Sequence, residues 1–220
     1  MKILSLVLMT IVFSSPVLAQ EEVTEPSKAD VYIGLDVLQS LPSYIFGKKY
    51  FIQNTLVIEP VIRFKAGAKA RKYFLVSPGF TTGSTNKNTT EFISYEKFQG
   101  VYLRLGYEAE NADIPGSIGF GPVISFTSFK GRYKFEGPVF GDYEGNFTDK
   151  NNVAVGINGF VTYNVKLHKK LFLRFLLQGT ISARKGIINP YYYPGLGYTK
   201  GNATIMFSPG ITAQLFYKVR

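Results

Sequence analysis

Six charged side chains lie in segments that otherwise alternate between apolar and small polar residues. Three are acidic and three are basic: Asp36, Glu59 and Glu108, and Arg63, Arg104 and Arg174. A charge is costly to bury alone, so opposite charges that share a closed interior are expected to pair with one another. The pattern therefore predicts a salt-bridge network. A proton path or a ligand site is the alternative for the same residues, because functional sites also gather charged groups.

The sequence offers little else for catalysis or metal binding. It contains one histidine and no cysteine, which excludes thiol catalysis, disulfides and the usual transition-metal clusters. His168 lies in the basic segment 166–170, within a predicted turn. Hydrolytic sites need a histidine beside a serine or a carboxylate. We predict no catalytic residue, no metal site and no cofactor.

The elements that must position the charged side chains are strands. Eight segments alternate with a period of two, and each is near or above the roughly 9–11 residues that a tilted strand needs to cross a bilayer. They are 30–39, 51–65, 72–80, 98–108, 117–129, 152–165, 171–184 and 203–218. The connections 66–71, 109–116 and 166–170 are short, whereas the others, 40–50, 81–97, 130–151 and 185–202, are long. This alternation predicts an all-β fold, an eight-stranded antiparallel up-and-down transmembrane β-barrel.

The two phases of each strand differ in composition. Around residues 100–107, for example, one phase holds Val101, Leu103 and Leu105, and the other holds Tyr102 and Arg104. A surface facing water would be richer in lysine and glutamate, whereas a narrow lumen requires small polar residues and a few charges that can pair. We therefore expect the polar phase inside the barrel and the apolar phase in lipid.

The N-terminal residues predict export and a three-part organisation. Residues 1–19 have the positive start, apolar stretch and small-residue end of a signal peptide. Residues 20–29 are predicted to be a flexible periplasmic lead-in, and residues 30–220 the outer-membrane barrel. The formal net charge of +10 suits an anionic membrane surface better than nucleic acid, because the charges concentrate in the connections. The short turns and both termini would then face the periplasm.

Aromatic residues and prolines add expectations for the strands. Aromatic belts are predicted at the long-loop end from Tyr50, Phe51, Phe80, Phe98 and Phe129, and at the short-turn end from Phe64, Tyr73, Tyr107, Tyr163 and Tyr217. Proline has no N–H for a strand ladder. We therefore predict bulges or interrupted pairing at Pro60, Pro78, Pro122 and Pro209.

Two segments of the predicted outer loops have the composition of contact surfaces. Lys130, Arg132 and Lys134, interleaved with aromatic residues, could bind lipopolysaccharide phosphates or be ordinary solvated loop charge. The tyrosine-rich segment 189–195 could be a recognition tip, because tyrosine offers a large contact area. It could equally cover the barrel mouth.

The rhythm of the runs 31–36 and 100–107, with the signal peptide, eight strands and sorted connections, resembles small outer-membrane barrels of the OmpA, OmpX and PorT kind. It is especially similar to uncharacterised PorT-like families, and the resemblance covers essentially the whole mature chain. It brings no catalytic motif. Such barrels often end on an aromatic residue that the insertion machinery reads, whereas here Tyr217 precedes Lys218, Val219 and Arg220.

These patterns favour a non-enzymatic outer-membrane barrel with a structural or surface-interaction role. Its expected partners are outer-membrane lipid and lipopolysaccharide, the outer-membrane insertion machinery and an unidentified envelope protein, and not nucleic acid. Three alternatives stay open: an accessory component of an envelope secretion system, which the PorT resemblance implies; a lipid A-modifying barrel enzyme; and a soluble periplasmic barrel of the lipocalin type that binds a ligand.

Overall fold

The computed structural model describes residues 30–39, 52–67, 71–85, 93–137, 141–185, 192–198 and 204–219. The predicted signal peptide at 1–19 and lead-in at 20–29 lie outside the described residues, as do Tyr50 and Phe51. Every regular element in the described part is a β-strand. That part therefore contains no helix long and apolar enough to cross a membrane.

The strands close into a barrel. They are β1 (Val31–Asp36), β2 (Ile52–Ile58), β3 (Pro60–Lys65), β4 (Lys72–Thr85), β5 (Ile93–Glu110), β6 (Gly116–Phe135), β7 (Tyr143–Lys166), β8 (Leu171–Lys185), β9 (Tyr192–Tyr193), β10 (Gly197–Tyr198) and β11 (Ile205–Lys218). Neighbours in the barrel are antiparallel, and β1 pairs with β3 on one side and with β11 on the other. β9 and β10 form a separate hairpin, and the other nine strands form the barrel wall. Within the wall, β2 and β3 follow one another in a single position, so the barrel has eight strand positions. The predicted eight-stranded antiparallel up-and-down barrel is confirmed.

The two ends of the barrel differ. At the short-turn end lie the end of β3, the beginning of β4 and the turns 111–115 and 167–170, together with the beginning of β1 and the end of β11. At the opposite, long-connection end, β6 and β7 continue well past their predicted limits. Residues 130–135 pair with residues 143–148, so much of the predicted loop 130–151 is a projecting two-stranded ribbon. Cross-strand aromatic contacts such as Tyr133 with Tyr143, 5.9 Å between ring centroids, stabilise that ribbon.

Three of the four strand prolines coincide with gaps in the ladders. Pairing with β4 stops around Pro60, which faces Pro78 in that register, and the break separates β2 from β3 at Glu59. The β5–β6 pairing is interrupted around Pro122. The prediction is wrong for Pro209, which lies in a continuous β8–β11 ladder. Because β1 ends at Asp36, before reaching this level, β11 has a described neighbour on one side only, and a missing N–H is tolerated there.

The polar phase lines the interior and the apolar phase forms the outer wall, as predicted. Buried polar residues from all parts of the barrel include Asp36, Glu59, Arg63, Glu108, Ser125, Asn158, Arg174 and Thr212. The wall is apolar, and its most exposed side chains, each 63–70% exposed, include Ile118, Phe120, Ile157, Ile205, Phe207 and Ile211.

Aromatic rings fill the lumen by lying over glycines on neighbouring strands. The Phe160 ring occupies the space that a Cβ on Gly119 would need, and the Tyr102 ring does the same at Gly79. Phe172 and Phe216 stack with their centroids 5.2 Å apart. Eight strands enclose only enough space for side chains, so these rings leave little room for an open channel.

The predicted aromatic belts are partly wrong. Tyr73, Phe98 and Phe129 are buried in the interior, because they occur in the inward phase of their strands and supply bulk that the lumen needs. At the short-turn end, however, four outward rings contact one another across consecutive strands β3, β4, β5 and β6. Their centroids are 5.7, 5.5 and 6.5 Å apart along the row Phe64, Phe74, Tyr107 and Phe120.

Candidate functional site

A buried ion-pair cluster crosses the lumen toward the short-turn end. Glu108 accepts from Arg63 at 3.1 Å and from Arg174 at 2.5 Å. Arg63 also pairs with Glu110, and its guanidinium lies 3.3 Å from the centroid of the Tyr73 ring. We call these residues, with Ser117 beside Arg174, the Glu108 cluster. Its two arginines and two glutamates balance in charge, as a buried group requires.

A second polar cluster lies nearer the long-connection end and centres on Glu59. Its carboxylate accepts from Arg104 at 2.9 Å, from the Tyr102 hydroxyl at 2.6 Å and from the Gln39 amide at 3.2 Å. The same Gln39 amide donates to Asp36 at 3.0 Å. Asp36 makes no ion pair among the described residues and instead accepts from Thr212 and from two backbone N–H groups. We call this group the Glu59 cluster.

The 192–198 hairpin, formed by β9 and β10, is inserted into the barrel at the long-connection end. Tyr193 has no exposed surface and Leu196 is almost completely buried. Both pack in an apolar cluster with residues of the barrel wall, among them Phe98, Val123, Phe129, Ala154 and Met206. Gly195 (φ +75°) has the left-handed backbone that favours glycine, and a Cβ there would overlap the Tyr102 ring. The described part of the tyrosine-rich segment therefore lies inside the barrel mouth.

Two wall residues anchor the hairpin through its backbone. Arg104 donates to the Gly195 carbonyl oxygen at 2.6 Å from Nη2 and at 3.2 Å from Nε. The Ser125 hydroxyl donates to the Pro194 carbonyl oxygen at 2.6 Å. Since Arg104 also pairs with Glu59, one guanidinium links the hairpin to the Glu59 cluster. The lumen is thus filled from its long-connection mouth to the Glu108 cluster.

The interior arrangement is suited to holding the barrel together. Among the described residues, no group of three or more His, Cys, Asp or Glu side chains is placed to hold a metal ion. No protein-family model and no curated protein matches this chain. The resemblance to OmpA, OmpX and PorT barrels stays a prediction from the sequence.

His168 lies at the opposite end of the barrel from the hairpin. It is exposed in the turn 167–170 and borders a pocket of about 580 Å³ at the short-turn mouth. Arg63 and Glu110 of the Glu108 cluster reach that pocket, and Lys166 and Lys218 line its rim. The histidine therefore lies outside both buried clusters.

The basic segment predicted for a loop lies on the projecting ribbon. Lys130 and Arg132 are exposed on β6. Lys134, nearer the tip, pairs with Asp142 at 2.7 Å and with Glu144 at 3.5 Å across the ribbon. The structure thus separates the three: Lys134 is neutralised by acids of its own hairpin, and Lys130 lies closest to the apolar wall.

Several residues of the two clusters escaped the sequence analysis. Glu110 is separated from Glu108 by one residue and therefore shares its inward phase, a signal that could have placed it in the same cluster. Thr212 became a partner of Asp36 only through barrel closure. Gln39, three residues after Asp36, meets it through a local turn and contacts Glu59 from the same position. The sequence signal for the 192–198 hairpin is weaker. The Pro194-Gly195 pair predicts a tight turn, but it does not indicate that the turn points into the barrel.

Proposed function

We propose that this chain is an integral outer-membrane β-barrel with a structural or surface-interaction role and no enzymatic activity. The observation that carries the proposal is the continuous apolar wall. All eight barrel strands contribute exposed apolar side chains, for example Leu35, Ile62, Phe74, Leu103, Phe120, Ile157, Leu177 and Ile211. Soluble monomers rarely expose apolar patches above a few hundred Å², so a wall of this kind calls for a hydrocarbon environment.

Barrel closure supports the same proposal. A bilayer core offers no water to backbone N–H and C=O groups, and only helices and closed barrels satisfy those groups internally. Here the ladder returns from β11 to β1. The outward aromatic row across β3–β6 also fits a membrane interface, where amphipathic and aromatic rings concentrate.

The proposal assigns an orientation. The short turns and both chain termini face the periplasm, and the long connections with the projecting β6–β7 ribbon face outward, as is usual for bacterial barrels. Outer-membrane lipid, including lipopolysaccharide, surrounds the wall, and the insertion machinery delivers the chain. Because the lumen is filled by the two clusters and the 192–198 hairpin, the accessible recognition surfaces among the described residues are the wall, the ribbon and the pocket at the short-turn mouth.

The test is cell fractionation combined with gel mobility. The full chain is expressed in a Gram-negative host and followed into soluble periplasmic, inner-membrane and outer-membrane fractions. We expect it in the outer-membrane fraction, soluble only with detergent, with a folded band that shifts on boiling. Recovery from the periplasmic fraction without detergent contradicts the proposal and favours a soluble barrel.

A further inference from the structure

The pocket at the short-turn mouth adjoins the Glu108 cluster. Its volume is about 580 Å³, and its lining comes from the short-turn ends of β1, β3, β5, β6, β7, β8 and β11 and from residues between the strands. It meets the Glu108 cluster through Arg63 and Glu110, and Tyr32 and Phe172 give it aromatic surface. We call it the short-turn pocket.

Most cations of the short-turn pocket lack a carboxylate partner. Six of its lining side chains are lysine or arginine, and two are carboxylates. Arg63 is paired with Glu110, and Lys218 is paired with Asp30 at 2.6 Å. Asp113 is the other carboxylate of the lining. The remaining cations make no ion pair with a described residue: Arg71, Lys166, Lys169 and Lys170. The pocket therefore has an excess of positive charge that a negatively charged ligand would offset.

The unpaired cations lie on opposite sides of the mouth. Arg71 directly precedes β4, and its Nη1 donates to the backbone carbonyl oxygens of Asn111 and Ala112 at 3.1 and 2.9 Å. The three lysines belong to the end of β7 and to the turn 167–170, which leads into β8. Three strand positions separate β4 from β8 in either direction around the barrel. A single small anion can meet one side only, whereas a chain with spaced negative charges can meet both.

A shielded hydrogen-bond acceptor lies in the same pocket. Asn164, near the end of β7, is part of the lining, and its Oδ1 is shielded from solvent and accepts no hydrogen bond from a described residue. Its backbone N–H donates to the Pro115 carbonyl oxygen at 2.7 Å, which fixes the position of the residue. Leaving a buried acceptor unsatisfied costs free energy. A ligand that brings an N–H donor to this oxygen would remove that cost.

We propose that the short-turn pocket binds an acidic peptide segment. Carboxylates spaced along the peptide pair with the three lysines on one side of the mouth and with Arg71 on the other. A peptide N–H donates to Oδ1 of Asn164, and an apolar side chain of the peptide lies against Tyr32 and Phe172. The site rests on the proposed function, because only the proposed orientation opens this mouth to the periplasm.

A peptide fits the pocket better than an inorganic anion or a phospholipid. An inorganic anion leaves the cations on the opposite side unpaired. The acyl chains of a phospholipid would have to enter the lumen, which side chains already fill. A peptide offers charges, N–H donors and apolar groups together, and the rings of Tyr32 and Phe172, 5.5 Å apart and edge to face, give the apolar groups a contact surface.

The experiment measures the binding of labelled peptides to the full chain in detergent. The probe is a fluorescein-labelled peptide of alternating glutamate and alanine, its neutral counterpart has glutamine for glutamate, and binding is followed by fluorescence anisotropy. Exposed ion pairs are individually weak, but several together should give about tenfold tighter binding of the acidic peptide. In the triple variant Lys166→Gln, Lys169→Gln, Lys170→Gln, we expect that preference to fall below about threefold.

A matched variant controls for total charge. Lys130→Gln, Lys150→Gln, Lys185→Gln removes the same charge from exposed lysines at the long-connection end, and it should keep the preference. Acetate at the same carboxylate concentration should not displace the acidic peptide, because separate carboxylates lack the advantage of linked ones. Equal loss of preference in both triple variants, or displacement by acetate, overturns the site.

The variant Asn164→Ala tests for a peptide backbone at the shielded acceptor. Because one neutral hydrogen bond is lost, we expect about fivefold weaker binding of both peptides. The preference for the acidic peptide should stay unchanged, since no charge is removed. Unchanged affinity for both peptides overturns the peptide contact at this oxygen.

A further variant identifies the source of the peptide. The segment 20–29 of this chain precedes β1 and contains Glu21, Glu22 and Glu25, so the ligand can come from this chain or from another periplasmic protein. If Glu21→Gln, Glu22→Gln, Glu25→Gln tightens binding of the added acidic peptide, the chain's own segment competes for the pocket. Unchanged binding assigns the pocket to a partner protein. Equal binding of the acidic and neutral peptides by both the natural chain and this variant overturns the site.

The failure of this site and the failure of the proposed function can be told apart. Each preparation is also tested for a boiling-dependent gel shift and for solubility without detergent. A natural chain that is soluble without detergent contradicts the membrane barrel itself. A detergent-dependent barrel with no preference for the acidic peptide contradicts the peptide site alone.

Discussion

Nη2 of Arg174 lies 2.5 Å from Oε2 of Glu108, and neither side chain has any exposed surface. The other carboxylate oxygen, Oε1, accepts from Arg63 at 3.1 Å. The three residues belong to β8, β5 and β3, none of which is adjacent to another in the barrel. Glu108 therefore connects opposite parts of the wall across the lumen, a link that the strand ladders cannot provide.

Removing Glu108 alone should strongly destabilise the barrel. Glu108→Ala leaves Arg174 buried without a counter-charge, and breaking a buried pair in this way costs about 3–5 kcal/mol. The free energy of unfolding can be measured by urea titration of the barrel in lipid vesicles.

The double variant Glu108→Leu, Arg174→Met supplies the control. It removes both charges and leaves Arg63 paired with Glu110, so its loss should be well below the sum of the losses in the single variants Glu108→Leu and Arg174→Met. Strict additivity would mean that the contact contributes nothing beyond the separate side chains.

A charge in the apolar wall should block assembly. Leu103→Arg places a guanidinium in the outward apolar phase of β5. If this phase faces lipid, as the proposed function requires, the cost is roughly 2–4 kcal/mol near the bilayer midplane. We expect loss of the boiling-dependent gel shift and of the outer-membrane fraction. Gln99→Arg, on the same face of β5 but at the polar edge, is the matched control and should assemble. Equal assembly of the two variants is inconsistent with an apolar wall in lipid.

The two anchors of the 192–198 hairpin should control how often it leaves the lumen. The natural chain has no cysteine, so Leu196→Cys gives a single buried thiol, and we expect slow labelling by a maleimide. Adding Arg104→Lys and Ser125→Ala weakens the hydrogen bonds to Gly195 and Pro194. The lysine retains a positive charge for Glu59. Loss of one charge-assisted and one neutral hydrogen bond should raise the labelling rate at least about tenfold.

A thiol in the exposed turn at Asp113, made by Asp113→Cys, controls for general opening of the barrel. Its labelling rate should not change when the two anchor substitutions are added. If the Leu196→Cys rate is also unchanged, the hairpin is held by its apolar packing and not by these hydrogen bonds.

The tip of the projecting ribbon should respond to pH through Lys134 and Asp142, which lie beyond the apolar wall. A hydrogen bond and the positive charge of Lys134 lower the pKa of the Asp142 carboxyl, and the same contact raises the pKa of Lys134. The acid's contribution is present above its unfolded pKa of about 3.9 and is lost as the pH falls through the lowered folded pKa. The lysine's contribution is present below about 10.4 and is lost as the pH rises through its raised folded pKa.

Carboxyl NMR titration of Asp142 tests this coupling. Lys134→Gln should move the midpoint up toward the ordinary aspartate value. Sodium chloride at about 1 M should move it in the same direction, because the pair is exposed to solvent and screened by salt. Lys150→Gln is the control and should leave the midpoint in place. An unchanged midpoint in Lys134→Gln would show that the ion pair does not form in solution.

Local pattern predicted most of the framework. The period of two and the sorted connections predicted eight strands and their order, and the scarcity of charge in one phase predicted the apolar wall. The sequence pattern failed where strand pairing continues past the segments with a clear apolar alternation. The β6–β7 ribbon, which was predicted to be a loop, is the example. The pattern also failed for Phe98 and Phe129, because an aromatic residue near a strand end suits an interface and a lumen equally well.

The sequence by itself determined which residues of a strand share a face, because alternation along a strand is a property of the backbone, and the composition of the two phases indicated which face is inward. Only the tertiary structure decided which inward residues meet. Closure of the barrel brings Glu108 to Arg63 and Arg174 from strands far apart in the chain, and it brings Asp36 to Thr212. Partners of this kind depend on register, strand tilt and the volume left by neighbouring rings, and no local signal encodes those quantities. For the same reason, the sequence left two alternatives for the tyrosine-rich segment, an exposed recognition tip or a cover over the barrel mouth. In the folded barrel, hydrogen bonds from Arg104 and Ser125 hold residues 192–198 inside the lumen.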